Sequence, residues 1–383
     1  MIKTLASFVS CTAIVAASSL LGACSSTSQA TKLAELPAID PQISTKLVWL
    51  ARVGAINAPL EIAVDSVTGF SSTAVTAASS DGAVASFDAA TGRLLWRVQV
   101  GKSLSSGAGT DGDLAAVVTD ANELVALNKG NVVWRQKLAG TSFTAPLLKN
   151  GKIYVLGSDR SMSAFDAANG TKLWSQKRSN EALSLRQAGV LLAVGDGLVA
   201  SSSGKLTGLN PLDGSIRWER SIATARGTNE IERLVDLVGR VSINDDVVCA
   251  RAYRVSVGCI DALRGNLLWT KPAMGLEGVQ GDLRNLFGAE SDGKVIAWNR
   301  SNGEKLWVNE RLVGRTLTAP VVFGNYIAIG DGAGFVHLLS KTDGAPLTRL
   351  TTDGSAIVTA PVMAGKTLVV MTKNGSLFGF AAE

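Results

Sequence analysis

The chain repeats a short segment in which a glycine, or a residue in its place, precedes a tryptophan by four positions at the end of an apolar run. Seven copies keep the tryptophan, and an eighth keeps the glycine but ends in threonine. Successive copies lie 38 to 51 residues apart. A period of roughly 40 residues built from strands is typical of a propeller, so eight copies predict an all-β, eight-bladed β-propeller of four-stranded antiparallel blades. The copies occupy residues 45–49, 92–96, 130–134, 170–174, 214–218, 265–269, 303–307 and 344–348.

The unit that ends at Trp174 shows the repeat most clearly. Residues 152–156 and 163–166 have the composition of strands and are separated by a Gly-Ser-Asp-Arg turn. A second turn ends at Gly170, where glycine supplies the positive φ that a tight hairpin requires. Each unit therefore predicts two hairpins in series. One tryptophan at a fixed place in every unit is interpreted as core packing rather than as a ligand-binding aromatic cluster.

The first tryptophan, Trp49, precedes any complete unit. A ring of blades usually closes by pairing an N-terminal strand with C-terminal strands in one blade. We therefore expect residues 43–49 to form the outer strand of the closing blade, beside residues 367–380. The copy that ends at Thr348 is expected to mark that closing blade.

The N-terminus carries an export signal. Lys3 is followed by an apolar stretch to Leu20, as in a secretory signal peptide. Leu21-Gly-Ala-Cys24 resembles a bacterial lipobox, which implies cleavage before Cys24 and lipidation of its thiol. The predicted organisation is a lipoprotein signal peptide at 1–23, a lipidated tether at 24–41 and the propeller at 42–383. Ser25 in place of aspartate favours the outer membrane, with the propeller facing the periplasm; the alternative is an ordinary signal peptide with an incidental cysteine.

The charge distribution and the few reactive side chains disfavour nucleic-acid binding, catalysis and metal binding. The formal net charge of +5 falls to +4 (5 − 1) when Lys3 is removed with the signal peptide, and basic residues are scattered singly, which disfavours nucleic-acid binding. The single histidine, His337, lies in an apolar run and is interpreted as a packed, hydrogen-bonded residue. We predict no catalytic, cofactor or metal site. Cys249 and Cys259 fall opposite each other on a predicted hairpin, so a disulfide and a pair of buried thiols both remain open.

The segments at 88–96 and 166–174, written Asp-Ala-x-Thr/Asn-Gly-x-x-x-Trp, resemble the repeat of pyrroloquinoline-quinone alcohol dehydrogenases. Those enzymes also form eight-bladed rings, but they use an adjacent cysteine pair that this chain lacks. A periplasmic quinoprotein dehydrogenase-like enzyme is therefore kept as the alternative function.

The combination of lipobox, tether and quinone-type propeller resembles the BamB family, lipoproteins of the β-barrel assembly machinery in the outer membrane. The resemblance runs from Cys24 to the end and is carried further by Leu183-Ser-Leu-Arg186 and residues 226–236. It implies a non-catalytic scaffold that aids folding and insertion of outer-membrane proteins. It also implies binding to the periplasmic domains of the barrel-forming subunit BamA, indirect contact with the other assembly lipoproteins, and nascent outer-membrane proteins as further partners. The partner-binding residues it implies are Leu183, Leu185, Arg186 and Asp236, while Val238 stands where the family has a second aspartate.

The spacing of the repeat supports the same region independently. The interval between Trp218 and Trp269 is the longest, at 51 residues, and insertions on a rigid scaffold are common binding sites. Two alternatives remain open: the leucines are buried in their blade while Arg186 pairs with Asp236, or the ring binds a different envelope protein.

Overall fold

The computed structural model describes residues 36–66, 73–177, 184–224 and 235–382. In this part of the chain, 32 strands form eight four-stranded sheets in which every neighbouring pair is antiparallel. The innermost strands of most successive sheets contact one another around the centre. The predicted eight-bladed β-propeller is confirmed. The described residues contain no helix that is long and apolar enough to cross a bilayer.

The blades are numbered I to VIII in chain order, each listed from its inner to its outer strand. The N-terminal strand β1 spans Thr45–Arg52. Blade I contains β2 (Ala63–Ser66), β3 (Thr73–Ala78), β4 (Ala83–Asp88) and β5 (Leu94–Gln99). Blade II contains β6 (Gly109–Asp111), β7 (Leu114–Val118), β8 (Glu123–Asn128) and β9 (Asn131–Lys137). Blade III contains β10 (Leu147–Lys149), β11 (Lys152–Leu156), β12 (Met162–Asp166) and β13 (Lys172–Gln176). Blade IV contains β14 (Leu191–Val194), β15 (Gly197–Ser202), β16 (Lys205–Leu209) and β17 (Ile216–Ser221).

Blade V contains β18 (Leu237–Asn244), β19 (Val247–Ala252), β20 (Ser256–Asp261) and β21 (Asn266–Pro272). Blade VI contains β22 (Gln280–Gly281), β23 (Asn285–Ala289), β24 (Val295–Asn299) and β25 (Lys305–Asn309). Blade VII contains β26 (Val321–Phe323), β27 (Tyr326–Gly330), β28 (Phe335–Ser340) and β29 (Pro346–Thr351). Blade VIII contains β30 (Val362–Ala364), β31 (Thr367–Met371) and β32 (Ser376–Ala382), with β1 as its outer strand.

The core lies between the blades. The two middle strands of a blade are buried along most of their length, whereas the outer strands are largely exposed. One cluster joins Val369 of blade VIII, Val75 of blade I and Val117 of blade II. Because both faces of a blade pack against neighbours, its middle strands are continuous apolar runs rather than alternating ones.

The glycine and tryptophan of the repeat meet across the junction between two blades. A Cβ atom added to Gly92, whose φ is +70°, would lie 2.6 Å from the ring of Trp49 in the preceding blade. Gly170 lies in the same way against Trp134. The Trp49 indole Nε1 also donates to the Ala89 carbonyl at 2.9 Å. The tryptophans are therefore packing residues that fasten one blade to the next, as the sequence predicts. The same contact joins Trp96 to Gly130, Trp174 to Gly214, Trp218 to Gly265, Trp269 to Gly303 and Trp307 to Gly344.

The ring closes through β1, which pairs with β32 so that Trp49 lies opposite Gly379. This confirms the assignment of the N-terminal strand. The expectation for Thr348 is wrong by one blade, because Thr348 lies in β29 of blade VII. No hairpin joins β32 to β1, so blade VIII offers no turn glycine for a tryptophan at position 348 to cover.

Residues 36–42 pack against blade VII instead. Leu36 contacts the apolar cluster of blades VI and VII that includes Leu312. Arg349 Nη2 donates to the Pro37 carbonyl at 3.0 Å, and the Gln42 amide donates to the Leu347 carbonyl at 2.9 Å. The C-terminal end of the predicted tether is thus folded against the ring, while residues 1–35, including Cys24, lie outside the described residues.

The two faces of the ring carry different connections. Because antiparallel strands alternate in direction, the hairpin between the second and third strands and the link to the next blade emerge on one face. We call this the loop face. The turns that end in the repeat glycines lie on the opposite face, which we call the turn face.

Candidate functional site

Those predicted partner-binding residues that the structure describes lie together on the loop face. Leu185 and Arg186 belong to the link between β13 and β14, and Asp236 directly precedes β18. The Leu185 amide donates to Asp236 Oδ2 at 2.8 Å, which joins the two segments across 51 positions of sequence. Leu183 and residues 226–234 lie outside the described residues.

The carboxylate of Asp236 points inward. Its Oδ1 accepts a hydrogen bond from Arg160 Nη2 at 3.0 Å, in an ion pair whose side chains are only 7% and 14% exposed. Arg160 belongs to the hairpin between β11 and β12 of blade III. The sequence pattern does not single out Arg160 as a site residue; the one available signal is an arginine at a hairpin position where four other units have glycine.

Arg186 is exposed and does not pair with Asp236. Its guanidinium carbon lies 5.6 Å from the centroid of the Phe143 ring, a cation–π contact. Leu185 is half-buried. The alternative in which Arg186 simply neutralises Asp236 is therefore wrong, and the Arg186 charge remains available at the surface.

Hydrogen bonds from several blades hold the remainder of this link, residues 184–189. The Gly189 amide donates to Thr144 Oγ1 at 2.9 Å, and the Ala188 carbonyl accepts from the Gly239 amide at 2.7 Å. Gln187 Nε2 donates to the Leu276 carbonyl at 3.1 Å. These contacts attach the link to blades III and V and to the loop before blade VI, so it presents its side chains from a fixed backbone.

Val238, which replaces the second aspartate of the family pattern, lies in β18 and is buried. It lines the same small cleft as Leu185 and Asp236. An apolar side chain suits this position because it is almost completely buried. The only carboxylate that this segment contributes to the described part of the cleft is that of Asp236.

Arg186 and Phe143 also line a second cleft, which we call the channel mouth, near the inner strands. Its charged residues include Glu61 before β2, Arg240 in β18 and Glu277 before β22. Burial raises the pKa of Glu61, and the facing Arg240 offsets this only in part. Burial and the negative charge of Glu61 raise the pKa of Glu277 to about 7. Burial lowers the pKa of Arg240, again partly offset by Glu61. The mouth thus contains ionisable groups that are poorly hydrated.

The two internal cysteines lie directly opposite each other in β19 and β20. Both are buried, and their sulfur atoms are bonded in the structure. They pack beside Trp269 and Trp298 between blades V and VI. The disulfide joins two strands that are already neighbours and lies beneath the surface.

His337 is buried in β28, and its Nε2 lies 2.9 Å from Asp331 Oδ2. Arg315 Nη1 donates to the same oxygen at 2.8 Å. Burial would raise the pKa of Asp331, but the hydrogen bonds from His337 and from backbone amides lower it overall. The interpretation of His337 as a packed, hydrogen-bonded residue is confirmed. No three histidine, cysteine, aspartate or glutamate side chains in the described ranges are grouped so that they could hold a metal ion.

Comparisons with known proteins identify the family. A family model described as "Outer membrane protein assembly factor BamB" matches residues 80–309. The protein of that name from Bordetella pertussis (strain Tohama I) is 35% identical over 354 residues, covering 90% of this chain and 89% of the relative. The one from Burkholderia pseudomallei (strain K96243) is 34% identical and covers 99% of both chains.

Comparison with solved structures supports the same family. The crystal structure of BamB from Moraxella catarrhalis matches with a TM-score of 0.79 and 26% identity, over 88% of this chain and all (100%) of that one. A quinohemoprotein alcohol dehydrogenase from Comamonas testosteroni matches with a TM-score of 0.67, but its 12% identity shows the fold alone. The chain therefore belongs to the BamB family of outer membrane protein assembly factors.

Proposed function

We propose that this protein is a non-catalytic scaffold of the complex that assembles β-barrel proteins in the outer membrane. It binds the periplasmic domains of BamA through its loop face, with Leu185 and Arg186 as the contacts among the described residues. Leu183, two positions before Leu185, is proposed as a third contact. Through BamA it meets the other assembly lipoproteins indirectly, and nascent outer-membrane proteins are further partners.

The observation that carries this proposal is the state of Arg186. Its charge is exposed on a hydrogen-bonded link and is stacked on Phe143 rather than paired with Asp236. Arginine and half-buried apolar side chains on a rigid backbone are typical of residues that dominate protein–protein binding. A carboxylate of the partner would complete the hydrogen bonds of the guanidinium.

The loop face suits partner proteins better than the outer strands do. All eight outer strands carry a β-bulge next to the repeat tryptophan or its replacement. Bulges twist an edge strand and oppose the addition of a further strand. We therefore place the contact with BamA on the loop face and not at the rim.

We further propose that lipidation of Cys24 attaches the protein to the outer membrane with the ring in the periplasm. Residues 36–42 are packed on blade VII, so the chain between the lipid and the ring is residues 24–35. Cys24→Ser should release the protein into the soluble fraction or leave it uncleaved. Continued acyl labelling of this variant would contradict the proposal.

Crosslinking tests the binding surface. A photoreactive residue at position 186 of the membrane-anchored protein should capture BamA, and Arg186→Glu combined with Leu183→Ala should abolish co-purification of BamA. Arg93→Glu is the matched control, because Arg93 is an exposed arginine on the turn face. Its co-purification should equal that of the wild type.

Two results would contradict the proposal. One is normal BamA co-purification by the Arg186→Glu, Leu183→Ala variant with an intact ring. The other is saturable binding of pyrroloquinoline quinone together with dye-linked alcohol oxidation, which would favour the enzyme alternative.

A further inference from the structure

The eight hairpins between second and third strands share one backbone feature. Each contains a residue with φ between +53° and +91°, in the left-handed region. Blades I, VI, VII and VIII use glycine there and blade II uses asparagine, which tolerates this conformation. Blades III, IV and V use arginine or serine instead. In chain order the eight residues are Gly82, Asn122, Arg160, Ser203, Arg254, Gly293, Gly334 and Gly375.

The three unusual positions surround one residue. Arg160 of blade III pairs with the Asp236 carboxylate. The Ser203 carbonyl of blade IV accepts a hydrogen bond from the Leu237 amide, and Tyr253, next to Arg254 in blade V, donates its amide to the Asp236 carbonyl. A side chain in the left-handed region is strained, and such strain persists where the surrounding structure gains from it. For Arg160 the gain is visible, since the hairpin directs its guanidinium to Asp236.

Asp236 is therefore at the centre of a connected set of groups. One oxygen accepts from Arg160 at 3.0 Å, and the other accepts from the Leu185 amide at 2.8 Å. The carboxylate is consequently bonded on both oxygens and largely buried. It fixes the backbone of the residue that immediately precedes Arg186.

We infer that Arg160 and Asp236 form a positioning pair that holds the Leu185–Arg186 link in its binding conformation, and that Asp236 does not itself contact the partner. This inference rests on the proposed function, because it assigns roles within the same surface. Arg160 becomes a new functional residue of that surface.

Arg160→Gly tests the ion pair with Asp236 without adding backbone strain. Glycine accepts the left-handed backbone, so the hairpin should keep its conformation while Asp236 loses its cation. We expect about tenfold to a hundredfold weaker binding to purified BamA periplasmic domains, as for a lost hydrogen bond to a charged group. Arg254→Gly is the matched control, because it relieves the same strain at the equivalent hairpin without touching the Asp236 carboxylate, and its binding should be unchanged.

Substitutions at Asp236 test whether this residue positions the Leu185–Arg186 link or contacts the partner directly. The amide oxygen of Asp236→Asn can still accept from the Leu185 amide, so this variant should retain more binding than Asp236→Ala. Combining Arg160→Gly with Asp236→Ala should weaken binding no more than Asp236→Ala alone. The salt dependence of binding should match the wild type in Asp236→Asn, since an internal charge is not part of the interface.

Hydrogen exchange at the Leu185 amide supplies a readout that a general loss of stability would not mimic. Exchange at this amide should accelerate in Arg160→Gly and Asp236→Ala, but not in Arg254→Gly, while amides of the other blades keep their protection.

Equal losses of binding in Arg160→Gly and Arg254→Gly would overturn the inference, and so would wild-type binding by Arg160→Gly. If the wild-type protein itself fails to bind the BamA domains, the proposed function fails. In that case unchanged Leu185 exchange in Arg160→Gly would separately overturn the positioning role.

Discussion

The two faces of the ring show opposite uses of the same repeat. On the turn face, seven blade junctions place a tryptophan on a glycine with positive φ, and the chemistry hardly varies. On the loop face, arginine and serine replace glycine in three neighbouring hairpins, and Arg186 is exposed. The turn face repeats because it must join the blades, whereas the loop face differs between blades, and we propose that the partner binds where it differs.

The difference has a simple physical basis. A tryptophan between two blades is packed on both sides, so its glycine partner cannot gain a side chain without a clash. On the loop face the constraint differs between blades. A Cβ added to Gly82, Gly293, Gly334 or Gly375 would lie 1.8–2.8 Å from the backbone of a neighbouring link, whereas blades III, IV and V carry arginine or serine at the equivalent position at the cost of local strain. The regular tryptophan–glycine contacts assemble the ring, and we propose that the departures from glycine in the hairpins of blades III, IV and V serve partner binding.

The largest effect is expected from removing a junction on the turn face. Trp49→Ala deletes the buried ring that joins blade VIII to blade I, and we expect a loss of about 3–5 kcal/mol in the free energy of unfolding. Urea denaturation followed by circular dichroism would measure it. Binding to BamA should persist in the folded fraction, because Trp49 is remote from the loop-face residues.

Thr348→Ala is the matched control for this comparison. Thr348 occupies the equivalent position in the one outer strand without a tryptophan, and it fastens no glycine turn. Its loss should be about 1 kcal/mol or less. Equal losses in the two variants would show that the tryptophan junctions do not stabilise the ring.

A smaller change in the free energy of unfolding, this time a gain in stability, is expected from a substitution at the channel mouth. Because the pKa of Glu277 is raised to about 7 in the folded state, ionisation of this side chain lowers the stability of the fold as pH rises from about 4.5 to about 7. Glu277→Gln mimics the protonated side chain. It should therefore raise the free energy of unfolding by up to about 3 kcal/mol at pH 8 and change it little at pH 4.

Denaturation at both pH values, with Glu304→Gln as a control, would check this. Glu304 is exposed on the turn face of blade VI, and its variant should stay within about 0.5 kcal/mol of the wild type at either pH. A stabilisation by Glu277→Gln that is the same at pH 4 and pH 8 would rule out ionisation as the cause.

The smallest effect concerns strain on the loop face. Arg254→Gly should raise the melting temperature slightly, by the equivalent of up to about 1 kcal/mol, because glycine adopts the left-handed backbone without strain. Asn122→Gly should change it less, since asparagine already tolerates that conformation. A lower melting temperature for Arg254→Gly would mean that its contact with the Tyr253 ring outweighs the strain.

The sequence allowed much of the fold to be predicted, because each junction needs one large aromatic residue and one residue without a side chain. This requirement recurs with every blade and can be counted. The number of repeats does not show which blade junction lacks a glycine turn, and for this reason the sequence predicts the wrong blade for Thr348. Which junction lacks the turn depends on where β1 inserts, beside β32 and not beside β29.

The candidate site was predictable only in part. The family resemblance indicates Leu185, Arg186 and Asp236, and the structure places the first and last of them in direct contact. Their internal roles were not predictable. Arg160 lies 76 positions from Asp236, and the two meet only because the hairpin of blade III faces the link into blade V.

By itself, the sequence determined the number of blades and the strand order within each unit, because these depend on local composition and spacing. Only the tertiary structure decided that Asp236 turns inward to Arg160, that Arg186 lies on Phe143 and that residues 36–42 cover blade VII. These contacts join segments that are distant in sequence. They form only when the closed ring brings different blades into register, and no local pattern encodes that arrangement.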